Sequence, residues 1–181
     1  MSLGTIADLL RRLFKKGTGL GEAPLGEAPP RPLRGPAYAK AQGDWGEEMA
    51  RRFLEKELEP KEKRLRTIGR RVRVGRDEID LVMEPADARY RPMVVFVEVK
   101  TRTSDAFGGG LAAVDKRKRH ALCRAAARYM RRRPATPFRI DIVEVIGVSD
   151  AVPGGGADRI LHFENAVPLE RRYVAQALHR R

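Results

Sequence analysis

The chain has a single cysteine, Cys123, among its 181 residues. One thiol cannot close an internal disulfide, so a reducing compartment is expected, and with it a cytoplasmic location. Long apolar runs are also missing. No stretch approaches the roughly 18 residues of a membrane-spanning helix, so no transmembrane segment is expected. The opening "MSLGTIADLLRRLFKKG" makes a poor secretion signal, because its charges follow its apolar residues and Asp8 interrupts them. His120, His162 and His179 are scattered, without the spacing of a zinc site. The glycines of "FGGG" lack the Lys-Ser/Thr of a phosphate-binding loop. Cys123 sits on the apolar-leaning side of its predicted helix, which suits packing better than nucleophilic chemistry.

Acidic residues are in short supply too. Against 37 Lys and Arg stand 24 Asp and Glu, which gives a net charge of +13 and a pI near 10.5. Such an excess faces solvent or a polyanion. Nucleic acid is the commonest such partner and an anionic membrane surface the next. A hydrophobic content of 42% still provides for a real core.

Four regions follow from patterning. Residues 1–16 carry Leu3, Ile6, Leu9, Leu10, Leu13 and Phe14 at helical spacing, with Arg11, Arg12, Lys15 and Lys16 clustered at the far end. They read as a basic amphipathic helix suited to docking on the protein's own core or on a partner protein, ahead of a membrane surface, because it is short and lacks Trp. Residues 17–36 are rich in Gly and Pro and read as a flexible linker. Residues 37–167 form the folded domain, and 168–181 a basic tail that can be helical. Within the domain, a helix is expected from Asp44, with Trp45, Met49, Ala50, Phe53 and Leu54 on its apolar face. Strands are expected in "KEKRLRTIGRRVRVG", "DEIDLVMEP" and "PMVVFVEVKTR". Asp115 caps a helix running to Arg133, and "PFRIDIVEVIG" is a fourth strand. "RILHFENAV" suits a short final one. The order α-β-β-β-α-β is that of an α/β domain whose sheet is covered by helices.

The chemistry concentrates in "VVFVEVKTR", residues 94–102. Alternation puts Glu98 and Lys100 on one face of an otherwise apolar strand. The preceding strand offers Glu78 and Asp80 on one face, with Ile79 and Leu81 opposite. If the two strands pair as a hairpin, Asp80 comes beside Glu98. Carboxylates that close repel unless a cation lies between them, and Mg²⁺ or Mn²⁺ suits an all-oxygen site. Asp80, Glu98 and Lys100 thus form a loose PD-(D/E)xK nuclease pattern, against which stands a simple edge-strand ion pair. Glu47 is a possible fourth member. Its spacing from Asp44 equally suits a capping box, and the two readings stand level. Lys116 to Arg133 holds nine Lys or Arg and no acid; Lys61 to Arg76 holds eight against one Glu. Arg73, Arg102, Lys116, Lys118, Arg124, Arg128 and Arg131 are the expected nucleic-acid contacts.

In order along the chain stand Gly46-Glu47-Glu48-Met49-Ala50, Glu78-Ile79-Asp80-Leu81, Phe96-Val97-Glu98-Val99-Lys100-Thr101-Arg102, Phe107-Gly108 and Arg139-Ile140-Asp141, with "ENAV" after them. This series resembles the UPF0102 (YraN-like) family of small bacterial proteins. The resemblance implies a restriction-endonuclease-like three-layer core with a mixed β-sheet, similar to archaeal Holliday junction resolvases. It implies Glu47, Asp80, Glu98 and Lys100 as the catalytic set, with Asp80, Glu98 and Glu47 as metal ligands. The chain departs from the pattern at Asp77, where Gly is usual, and at Arg71, where Asn is frequent. Three functions fit. The first is a divalent-metal-dependent endonuclease acting on DNA, branched or single-stranded DNA included, in recombination or repair, with homodimerisation open. The second is a non-catalytic nucleic-acid-binding adaptor of the same fold. The third is a partner of another DNA-processing protein, recruited through the amino-terminal helix.

Overall fold

The computed structural model describes residues 35–102, 115–133, 136–147, 157–170 and 172–173. The helix expected over 1–16, the linker up to residue 34, the "FGGG" loop and the tail from 174 lie outside them. The first helix, α1, spans Gly35–Arg52 and continues as a π-helical turn, Phe53–Glu57. It therefore starts nine residues before the expected Asp44. Asp44 is an interior residue whose carboxylate takes Lys40 Nζ at 2.8 Å across one helical turn. A short 3₁₀ turn, Lys61–Lys63, precedes strand β1, Leu65–Val74. Then come β2, Asp77–Pro85, and β3, Val94–Arg102. Helix α2, Lys116–Met130, leads to β4, Phe138–Ile146, and β5, Arg159–Phe163. Asp115 caps α2 as expected, accepting from Lys118 N at 2.7 Å. The helix ends three residues before the expected Arg133, and the last strand stops at Phe163.

The five strands form one mixed sheet in the order β1-β2-β3-β4-β5. β3 and β4 run parallel, and the other neighbours are antiparallel. The parallel pair needs a crossover, which contains α2. Each sheet face carries its own core. Leu122, Cys123, Ala126 and Met130 of α2 pack with Val94, Phe96, Ile140 and Ile142. Ala50 of α1 and Leu54 of the following turn pack with Leu81, Val95, Val97, Val143 and Val145. Trp45, Met49 and Phe53 line the edge of this second core, as their spacing predicts. Val94 to Val97 are buried on both faces, which explains why β3 reads as a continuous apolar run. Phe96 anchors the α2 side, edge-on to Tyr129 at 5.3 Å and to Phe138 at 5.8 Å. Burying such a ring stabilises by roughly 1.5–3 kcal/mol. Cys123 is buried within this core, in line with a packing role.

Gly46 brings α1 close to the end of β3. A Cβ there would collide with Thr101 Oγ1, so only glycine permits the approach. Its neighbour Glu47 is thereby carried to the strand end that bears Glu98 and Lys100. Among the described residues no helix is long and apolar enough to cross a membrane.

Candidate functional site

The β2–β3 ladder runs through Leu81↔Val97 and stops there. Continued one step, the register sets Asp80 opposite Glu98. β3 goes on without β2, paired to β4 as far as Arg102↔Ile146. Asp80 Oδ2 then accepts the hydrogen bond from Val99 N, at 2.7 Å. A side chain thus takes over where the ladder opens, and this fixes the carboxylate at the gap.

β1 is irregular at the same level. Arg70 pairs with Leu81 and Val72 with Ile79, but Arg71 and Asp80 between them are unpaired. Arg71 has φ 45°, in the left-handed region. Past this point β2 changes its facing. Ile79 joins the core against α2, whereas Leu81 joins the core against α1. The expected common face for Ile79 and Leu81 is therefore corrected, because strict alternation fails beside the left-handed backbone of Arg71. Glu78 turns outward to Arg73, at 3.2 Å, and stands apart from Asp80.

Glu98 is only 2% exposed. Lys100 Nζ donates to its Oε1 at 2.7 Å. Lys118 Nζ, from the first turn of α2, lies 2.8 Å from Oε2. Both oxygens of the buried Glu98 carboxylate thus lie against ammonium groups. Burial and the neighbouring Glu98 charge push the Asp80 carboxyl up to about 7. The Val99 amide and the Lys118 ammonium oppose this rise, and Glu47 adds to it. Asp80, Glu98, Glu47, Lys100 and Lys118 thus share one electrostatic neighbourhood at the end of β3.

Glu47 is held by Arg71, whose Nε lies 2.9 Å from Oε2 and 3.1 Å from Oε1. Arg71 Nη2 adds a bond to Oε1 at 3.0 Å and another to Asp44. The capping-box alternative falls, since α1 begins well before Asp44. Asp77 is likewise neutralised: Arg124 binds its oxygens at 2.6 and 2.8 Å and ties α2 to the start of β2. Among the described residues, no three Asp, Glu, His or Cys side chains form a group that could hold a metal ion.

The seven expected nucleic-acid contacts divide. Arg73, Lys116, Arg128 and Arg131 are exposed. Arg102 pairs with the buried Glu144, Arg124 with Asp77 and Lys118 with Glu98. Lys118 is the member of the acid cluster that sequence reasoning left among the outer bases. One signal was available: with Leu122, Ala125 and Tyr129 it follows the inward stripe of α2. Asp141 is fully buried on β4, but Arg139, His162 Nε2 and the Asn165 amide surround it. It belongs to the scaffold, on β4 in register with Val97.

A family model described as "Uncharacterised protein family UPF0102" matches residues 46–145, which take in Glu47, Asp80, Glu98, Lys100 and Lys118. The chain belongs to the UPF0102 family. It is 40% identical over 108 residues to a UPF0102 protein of Halorhodospira halophila, an alignment covering 60% of this chain and 79% of that one. A UPF0102 protein of Xanthomonas campestris pv. campestris is 48% identical over 73 residues, 39% of this chain and 56% of that protein. A third, from Xanthomonas oryzae pv. oryzae, is 36% identical over 115 residues, 62% of this chain and 85% of its own length. The UPF0102 match starts at Gly46, so the family segment opens at the glycine that seats α1 on β3.

Proposed function

We propose that this UPF0102 protein is a divalent-metal-dependent endonuclease acting on DNA, with a restriction-endonuclease-like core. The observation that carries the reading is the meeting of Asp80 and Glu98 at the end of an apolar strand pair, with Lys100 hydrogen-bonded to Glu98. Burying these charges costs several kcal/mol each, roughly, and a fold seldom bears that cost without a task for them. The donor set fits Mg²⁺ or Mn²⁺. Both residues offer oxygen, Asp80 spends only Oδ2 on the Val99 amide, and the ion would stand beside Glu98 Oε2 where the Lys118 ammonium now lies. Glu47 would join as a third ligand once Arg71 releases it. Bound there, the ion would polarise a phosphodiester and acidify an attacking water. Lys100 would hold that water or the developing charge on a phosphate oxygen.

Two basic hollows on the α2 flank support a nucleic-acid substrate. One is lined by Arg76, Lys116, Arg117, His120 and Arg124 with Asp77, which Arg124 neutralises; the other is lined by Arg73, Arg128, Arg132 and Arg133. Branched and single-stranded DNA, as met in recombination and repair, are the forms to try first, and the cytoplasm is where they would be met. The clamp of Arg71 on Glu47 favours the second reading, a non-catalytic adaptor, because it neutralises one expected ligand.

Cleavage of duplex, single-stranded and junction DNA under a Mg²⁺ and Mn²⁺ titration tests the proposal. Metal-dependent products from the wild type, lost in Lys100→Ala with DNA binding retained, are the expected result. Binding without cleavage under every metal would give the adaptor the stronger claim.

A further inference from the structure

The hollow at the far end of α2 has a composition that the acid site does not explain. It encloses about 480 Å³ between the β1–β2 turn and the last turn of the helix. Arg73, Arg128, Arg132 and Arg133 line it together with Val72, Val74, Gly75 and Tyr129, and among the described residues no carboxylate does. Elsewhere around α2 the inward cations meet acids: Lys118 meets Glu98 and Arg124 meets Asp77. Among the described residues, Arg73 alone of these four arginines has an ion pair, with the exposed Glu78 at 3.2 Å. Arg133 stacks on the Tyr129 ring at 5.0 Å, which fixes a guanidinium without neutralising it.

Helix polarity accounts for arginines near a helix C-terminus, since the last turn attracts cations. It does not account for Arg73, which comes from β1, nor for a concave wall. Gly75 shapes that wall. It has φ 69°, and a Cβ there would run into the Arg128 guanidinium. The turn lets Arg128 lie flat against the backbone. Clustered guanidiniums repel one another, and an anion among them relieves the repulsion.

Charge selects the anion. An internal phosphodiester carries one negative charge, for which a single cation suffices. A phosphate monoester carries about −1.5 to −2 at neutral pH and presents three acceptor oxygens. Guanidiniums bind such a group bidentately. From Lys118 to Arg128 the helix advances about 15 Å, on the order of four base steps of 3.4 Å along one strand. We propose that Arg128, Arg132 and Arg73 form a pocket for the terminal phosphate of a nucleic-acid strand whose body runs along α2 toward the acid site. This rests on the proposed function only in taking the ligand to be nucleic acid; it does not require cleavage.

The test is equilibrium binding of the full chain, in EDTA, to labelled oligonucleotides of one sequence ending in 5′-phosphate, 3′-phosphate or hydroxyl. One phosphorylated end should bind roughly tenfold tighter than the hydroxyl end, the gain expected of charged hydrogen bonds. The Arg128→Gln/Arg132→Gln double variant should bring all three within about twofold. Both positions are exposed, so the variant should keep its melting temperature; Arg73→Gln is the independent second variant, expected to halve the preference or more. Equal affinity for all ends in the wild type would overturn the pocket. So would a mononucleotide that binds as tightly as the phosphorylated oligonucleotide. Either outcome leaves the nuclease reading standing, while end preference without metal-dependent cleavage of any DNA would remove the nuclease reading and leave the pocket.

Discussion

Lys118 Nζ stands 2.8 Å from Glu98 Oε2, in the first turn of a helix that begins far from Glu98 in sequence. Lys100 holds the other oxygen at 2.7 Å. Glu98 is therefore bracketed by two ammonium groups, one from its own strand and one from α2. Lys118 stands where a cation is needed, and this gives it a role separate from phosphate attraction.

Lys118→Ala should therefore leave a buried carboxylate with half its compensation. Breaking a fully buried pair costs about 3–5 kcal/mol. Lys118 is 35% exposed, and the expected loss is discounted to roughly 1–2 kcal/mol. Added Mg²⁺ should restore more stability to the variant than to the wild type. Thermal melts with and without Mg²⁺ decide this; equal metal response in both proteins would deny Lys118 the cation's place.

Asp80 gives a pH signature. Its carboxyl is raised from 3.8 to about 7, chiefly by burial and then by Glu98. The folded chain therefore holds a proton that the unfolded chain has released over roughly pH 4 to 7. Stability contributed by this group is full below pH 4 and is lost as pH rises through 7. Asp80→Asn keeps an acceptor for Val99 N and removes the titration. Urea unfolding between pH 5 and 8 should show the wild type losing stability relative to the variant as pH rises. Parallel curves would show that Asp80 does not titrate in this window.

Much of the scaffold was legible because it obeys simple periods. β3 and β4 read as strands from their apolar runs, and α2 from its cap at Asp115 and its inward stripe. Asp80 comes near Glu98 one step past the Leu81↔Val97 pair, although alternation fails there and the ladder itself has stopped. The start of α1 was not legible. Gly35, Pro36 and Gly43 argue against a helix by propensity, and packing of Ala50 and Leu54 on the sheet overrides them. The left-handed backbone at Arg71 was also hidden, because arginine carries no signature of it. Nor could alternation foresee which bases turn inward to Asp77 and Glu144, since those pairs join elements distant in sequence.

DNA affinity should follow the exposed bases. Arg124 binds Asp77, so its replacement would unsettle α2 as well as the surface. Lys116, Arg128 and Arg131 are exposed and make the cleaner set. Replacing all three by Gln should weaken binding and reduce the slope of log K against log salt by roughly two to three. Lys100→Ala should leave both nearly unchanged. A Lys100→Ala loss as deep as that of the triple variant would make Lys100 another phosphate contact.

Gly46→Ala tests the seating of α1. Alanine in place of glycine favours a helix by about 1 kcal/mol. Collision with Thr101 opposes it, and overpacking typically costs about 1–3 kcal/mol. A net loss of roughly 1–2 kcal/mol is expected from these two effects. Thr101→Ala removes the Oγ1 that collides, so Gly46→Ala should cost far less in that background. Denaturant melts of the four proteins measure the coupling. Equal cost in both backgrounds would mean that α1 is seated by something else.

Arg71 does two things at once: its backbone takes φ 45° and its guanidinium holds Glu47 through both oxygens. Asn suits the left-handed backbone better than Arg does. Arg71→Asn should gain a few tenths of a kcal/mol in the backbone and lose a partly exposed ion pair worth about 0.5–1 kcal/mol, for little net change in stability. Its effect on the site should be larger, because Glu47 would then be free to turn toward Asp80 and Glu98. Calorimetric titration with Mn²⁺ should show tighter binding to Arg71→Asn than to the wild type, and Glu47→Gln in the same background should cancel the gain. If Mn²⁺ binds both proteins alike, Glu47 is a partner of Arg71 alone, and the metal set contracts to Asp80 and Glu98.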